Sequence, residues 1–159
     1  TFDFQQVLLD VAGVDTSIVN YEGRWWIFCG LKNELPNEKL YIYYSHTLTG
    51  SYKPHLLNPV KVDPAGSRPA GQLIVNNNVL YRPAQHSVNW YGEKIDWFKV
   101  NKLTPRTFNE ELIDEIAPQK QWEHNKGVHT FSQTSNLLVI DAKKRSSGWY
   151  AIWAALGFL

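Results

Sequence analysis

Short apolar runs bounded by polar turns follow one another along the chain, and a helical period is weak except at the C-terminal end. Val11 to Val19 predicts a strand that begins near Gly13. The turn Asn20-Tyr21-Glu22-Gly23 leads into Arg24-Trp25-Trp26-Ile27-Phe28-Cys29, whose near-continuous apolar run predicts burial on both faces. Leu40 to Tyr44 predicts a third strand. Ser45 to Tyr52 reads as a turn entering a fourth, which Pro54 ends, and Asn58 to Gly66 reads as a connector.

The stretch Ser67 to Gln85 has the pattern of a hairpin. Leu73-Ile74-Val75 and Val79-Leu80-Tyr81 flank the triplet Asn76-Asn77-Asn78, and Asn tolerates the positive φ that tight hairpin turns demand. Its outer ends carry Arg68 on one side and Arg82 and Gln85 on the other, so antiparallel pairing is expected to gather these polar groups at one edge. Beyond it, His86 to Gly92 reads as a loop, Lys94 to Val100 as a strand and Asn101 to Pro105 as a turn before the acidic stretch Glu110 to Ile116.

These elements repeat. Setting Leu48-Thr49 on Leu103-Thr104 requires an offset of 55, and the same offset sets Trp26 on Tyr81, Gly23 on Asn78 and Leu40 on Ile95. A partial third copy follows, with Gly127 to Phe131, a turn from Gln133 to Asn136, and Leu137 to Asp141. A period of roughly 50 residues with about four strands per unit is the signature of propeller blades. The fold class expected is all-β, with about three blades of antiparallel sheet as a partial propeller over residues 1–145 and an apolar tail over 146–159.

Composition narrows the function classes. The 159 residues suit one domain with a real core, and 14% are aromatic, including seven Trp, side chains that fill sheet cores or stack on sugars. A net charge of +1 lacks the electrostatic footprint of a nucleic-acid binder. Cys29 stands alone, which excludes an internal disulfide and a thiolate metal cluster and suits a small core residue. No apolar run is long enough to span a bilayer. His46, His55, His86, His124 and His129 lack metal-ligand spacing, and no phosphate-cradling loop, HExxH pair or Ser elbow is present, so neither a metal nor a cofactor is expected.

In order and at similar spacing, the segments VDTSI, GRWWIF, SHTLTGSY, NPV, SRPAG, LYRPAQ, YG, LT and GVHT resemble the propeller domain at the N-terminus of plant glucosamine inositolphosphorylceramide transferases and related bacterial proteins. The resemblance runs from about Leu8 to Asp141. It implies a five-bladed propeller distantly similar to family 43 glycoside hydrolases, of which this chain matches the last three blades. Three blades of five would leave apolar flanks and strand edges bare, so a homo-oligomer or a partner supplying the missing blades is expected. The tail Gly148 to Leu156 departs from the family and reads as core packing or as a cover for such an edge.

In a propeller the innermost strands line the axis, so the starts of the three repeats, Asp15, Arg68 and His129, are expected to converge. The resemblance implies the same for Arg68 and His129, since such hydrolases commonly line their cavity with an arginine from the fourth blade and a histidine from the fifth. Asp15 reads either as a catalytic or orienting carboxylate or as a turn cap. Arg68 offers a planar fork for a ligand or an ion pair with Asp15 or Asp63. His129 reads as a proton-transfer or ligand group, or as a hydrogen-bonded strand start. Arg82 and Gln85 are ligand contacts or braces between blades, and Trp90 and Tyr91 are sugar-stacking rings or core, whereas Trp25 and Trp26 are assigned to the core.

Hydrolysis needs two carboxylates about the scissile bond, and only Asp15 reads as pointing inward, with Glu110, Glu111, Asp114 and Glu115 on an outer strand or loop. The expected role is therefore binding of a sugar or glycoconjugate at the inner ends of the blades, in a glycan-modifying context. The alternatives are a glycosidase or glycosyl-transfer site completed by a second chain, and a structural piece without a ligand.

Overall fold

The computed structural model describes residues 6–144, and among these the chain is all-β. The first blade is an antiparallel sheet in chain order, β1 (Gly13–Tyr21), β2 (Arg24–Leu31), β3 (Lys39–Ser45) and β4 (Lys53–Pro54), with the short β5 (Lys61–Val62) also on β3. In the second blade, β6 (Ala65–Pro69) and β7 (Ile74–Asn76) pair with the two halves of β8 (Val79–His86), so together they stand where β1 stands in the first. β9 (Lys94–Thr104) and β10 (Thr107–Ile116) complete that blade. The hairpin of β11 (Phe131–Gln133) and β12 (Leu138–Ile140) begins a third.

The offset of 55 read from the sequence is an offset in space. β2 and β8 are both eight residues long and both their ends differ by that number. The turns before them also match, because Glu22 and Gly23 have φ of 49° and 73° and Asn77 and Asn78 have 50° and 61°. Two consecutive left-handed residues make the turn whose twist agrees with that of paired strands.

Boundaries moved where pairing outvoted local signals. The first strand begins at Gly13 and extends to Tyr21, which pairs with Arg24. The predicted turn Asn101 to Pro105 is strand as far as Thr104, because Leu103 pairs with Phe108 and is buried between the blades. Thr104 Oγ1 accepts from the amides of Arg106 (3.2 Å) and Thr107 (3.0 Å) and closes the shorter turn. Within the connector, Asn58 takes the place of a strand partner, its side-chain amide bonding both Ile42 N (2.9 Å) and Ile42 O (2.8 Å).

Two clusters hold these pieces. Trp26, Phe28, Leu40 and Ile42 of the first blade pack against Leu73, Leu80, Val100 and Leu103 of the second, each worth about 1.5–3 kcal/mol on full burial. Ala70 and Ile95 pack against Val128 and Phe131 of the third unit. Trp26 to Cys29 are all buried, as the apolar run predicts, while Trp25 is half-buried. Burial pushes the Cys29 thiol up to about 11, the behaviour of an inert core residue. The tail from Gly148 lies outside the described residues.

Candidate functional site at the inner ends of the blades

The site begins with an interruption of β1. Pairing with β2 shifts register between Val14 and Ser17, and Asp15 sits in the shift with φ of 48°, a left-handed conformation that Asp tolerates better than most residues. Bulges re-aim side chains, and this one delivers the Asp15 carboxylate to the second blade. There Arg68 Nε donates to Asp15 Oδ2 at 2.7 Å, and Gln85 Nε2 donates to the same oxygen at 2.7 Å and to Pro69 O at 3.0 Å. Arg68 Nη1 also donates to Asn37 Oδ1 (2.8 Å), from the loop between β2 and β3.

Asp15 Oδ1 makes no hydrogen bond among the described residues, and Gln85 Oε1 is buried without a partner. Asp15 borders a groove of about 370 Å³ with Thr16 and Ser17 of β1, Gly71 and Gln72 between β6 and β7, and Thr130 of the third unit. Ser17 Oγ donates to Gly71 O across the blade boundary.

Gly71 joins the third unit to the second. Its φ is 99°, and a Cβ there would lie 2.2 Å from Phe131 O, so no other residue fits this approach. The contact is a parallel bridge, with Phe131 N donating to Ala70 O (2.8 Å) and Gln72 N to Phe131 O (2.9 Å). It brings Thr130 to the groove, one residue from His129. His129 Nδ1 pairs with Asp141 Oδ2, while the amides of His129 (2.9 Å) and Thr130 (2.7 Å) donate to Asp141 Oδ1. Burial raises the Asp141 carboxyl, but these bonds outweigh it and hold the group below the usual carboxylate range.

Tyr91 links the two halves. Its ring meets His129 edge-on at 5.1 Å and lies under the Arg68 guanidinium at 4.9 Å. Burial raises its phenol, against the lowering effect of Arg68. Lys143 Nζ donates to Tyr91 O. Trp90 is half exposed, with Nε1 donating to Lys126 O at 3.0 Å.

Asp15, Arg68, Gln85, Tyr91 and His129 thus converge, while Arg82 stands apart. Successive strand residues face opposite ways, and Arg82 and Gln85 are three apart on a strand paired without a shift, so they must diverge. Arg82 lies on the face of Leu80 and is fully buried, with Nε and Nη2 on the two oxygens of Glu110 (2.7 and 2.6 Å) and Nη2 also on Gly66 O (2.6 Å). Lys61 Nζ joins at 3.1 Å from Glu110 Oε1. Glu110, on the outer strand as expected, turns its carboxylate inward with 7% of its side chain exposed. His86, on the same face as Arg82, pairs with Asp96 at 2.8 Å.

Sequence reasoning passed over Asn37 and Asp141. Nothing local marks Asn37. Asp141 was within reach, because the turn closed by Thr134 and Leu137 puts Asp141 across from Thr130. Among the described residues no group of three or more His, Cys, Asp or Glu is placed to hold a metal, and no helix is long and apolar enough to cross a membrane.

The family model of the N-terminal domain of glucosamine inositolphosphorylceramide transferase 1 matches residues 1–154, so the match runs past Asp141 into the tail expected to depart from the family. The chain is 34% identical to glucosamine inositolphosphorylceramide transferase 1 of Oryza sativa subsp. japonica over 156 residues, 93% of this chain and 20% of the relative. It is 30% identical to the Arabidopsis thaliana protein of the same name over 165 residues, 93% of this chain and 21% of that protein. The chain therefore spans about a fifth of the length of these curated relatives. Among solved structures, an exo-β-1,3-galactanase from Clostridium thermocellum superposes with a TM-score of 0.51 over 83% of this chain and 32% of its own, at 11% identity. At that identity the likeness is one of fold.

Proposed function

Because this chain belongs to the family of the N-terminal domain of glucosamine inositolphosphorylceramide transferase 1, we propose that it binds a sugar or glycoconjugate in the groove where the inner ends of its blades meet. The family and the galactanase-like fold supply a glycan-related context. The observation that carries the reading is the Asp15 carboxylate, fixed through one oxygen by Arg68 and Gln85 while the other stays open. A sugar hydroxyl both donates and accepts, and the groove is lined by Thr16 and Thr130 as well as by Asp15.

Binding is favoured over hydrolysis by the carboxylate count. Asp15 is the acidic residue lining the groove among the described residues, and the nearby Asp141 is committed to His129 and two amides. A hydrolase needs a second carboxylate flanking the bond.

The test is saturation-transfer NMR with glucosamine, N-acetylglucosamine, galactose and myo-inositol, on the wild type and on Asp15→Asn and Arg68→Ala. The expected result is transfer to at least one of these compounds, lost in both variants while thermal unfolding stays cooperative. No transfer to any of them, or equal transfer to wild type and Asp15→Asn, would overturn the proposal.

A further inference from the structure

The first blade carries a second cavity, of about 410 Å³, at the end opposite Asp15. Register places it there. β1 runs from the Asp15 bulge to Tyr21, which pairs with Arg24, and Ser45 and Lys53 are reached through Trp25 and Tyr44. Its lining includes Arg24, Ser45, His46, Thr47 and Lys53, and no Asp or Glu.

Several cations elsewhere in the blades are neutralised, Arg68 by Asp15, Arg82 and Lys61 by Glu110, and Lys94 by Asp96 and Glu115. Arg24 and Lys53 form no ion pair among the described residues. Arg24 Nε is also shielded from solvent without an acceptor, and a buried cationic donor left unmade is costly. The hydroxyls are crowded towards the same space. Gly50 closes the turn above them so tightly that a Cβ would lie 2.6 Å from both Ser45 Oγ and Thr47 Oγ1.

We propose that this cavity binds a phosphate group. A guanidinium fork, an ammonium and several hydroxyls without a carboxylate amount to an excess of donors around one cavity. A phosphate has oxygens enough to take bonds from Arg24, Lys53 and the Ser45 and Thr47 hydroxyls together, whereas a carboxylate has only two. Leu48, next in the chain to the lining Thr47, is 39% exposed, and Leu56, 70% exposed, donates its amide to the lining Pro105 O at 3.0 Å. A free phosphate and a phosphorylated lipid headgroup offer the cavity the same chemistry.

The experiment separates those two sources. Inorganic phosphate is titrated into the isotope-labelled chain and followed at the amides of Ser45, Thr47 and Gly50. In parallel, the chain is sedimented with phosphatidylcholine vesicles carrying either phosphatidic acid or an equal charge of phosphatidylserine. Saturable shifts with inorganic phosphate identify a soluble phosphate site, and preferential sedimentation with phosphatidic acid identifies a headgroup site. Either response should weaken about tenfold or more in Lys53→Glu and Arg24→Gln. Lys53 is exposed, so its variant keeps the test decisive if Arg24→Gln fails to fold. The proposal is overturned if phosphate causes no shifts and the two vesicle types sediment equally, or if Lys53→Glu responds as the wild type does.

Discussion

Arg68 and Arg82 lie in one hairpin, each with a carboxylate partner from another strand, yet they are different kinds of ion pair. Arg82 is fully buried and Glu110 is 7% exposed, and the pair is saturated by both carboxylate oxygens, the Gly66 carbonyl and Lys61. Arg68 is 14% exposed and Asp15 37%, and one carboxylate oxygen stays open at a groove. The first arrangement leaves nothing for a ligand to bind, whereas the second holds a polar group ready at small cost. Residue type does not distinguish brace from binding site here; saturation and exposure do.

The largest expected effect that would break this comparison comes from Arg82→Ala. It leaves the Glu110 carboxylate in the interior with Lys61 alone, a loss at the lower end of about 3–5 kcal/mol, read as a fall in the urea midpoint; a variant as stable as the wild type would remove the brace. Acid should act on the same pair. Burial raises the Glu110 carboxyl, but Arg82 and Lys61 outweigh that and hold it below the usual range. Its folded value thus lies under its unfolded one of about 4.3, so its stabilisation is fully present above that value and is lost as pH falls through the folded one. Urea midpoints should drop on acidification over that window and depend less on pH in Glu110→Gln; parallel curves would contradict the assignment.

At the exposed pair the expected order reverses, with little stability at stake and much function. Arg68→Ala should shift the unfolding free energy by no more than about 1 kcal/mol while abolishing sugar saturation transfer. A loss of cooperative unfolding would instead make Arg68 a second brace. The smallest effect belongs to Trp90→Ala. Half exposed and, among the described residues, hydrogen-bonded by its side chain only through Nε1, Trp90 should change stability by about 0.5 kcal/mol or less and weaken sugar binding less than Asp15→Asn does; a total loss of binding would make its ring the principal contact.

Much of the fold was legible because blade architecture repeats. One offset carried the turn at Glu22-Gly23 onto Asn77-Asn78 and β2 onto β8, since each blade faces the same local problem of a tight turn followed by a buried strand. The convergence of Asp15 and Arg68 was also legible, from the rule that inner strands share an axis. Arg82 was grouped with Gln85 on nearness in the chain, but strand parity sends the two side chains to opposite faces. Asn37 and Asp141 escaped notice because a loop asparagine and a strand-end aspartate are common, and only their partners make them part of the site.

By itself the sequence determined the strand and turn alphabet, the repeat and the kinship, because these depend on local periodicity, on which residues tolerate positive φ, and on ordered motifs. Which oxygen of Asp15 is open, which arginine is saturated, and which cations lack counter-charges were decided by tertiary structure alone. Those properties depend on groups brought together from distant positions, such as Asp15 and Arg68, 53 positions apart, and Arg82 and Glu110, 28 apart. Only packing sets the distances over which charge and hydrogen bonding act.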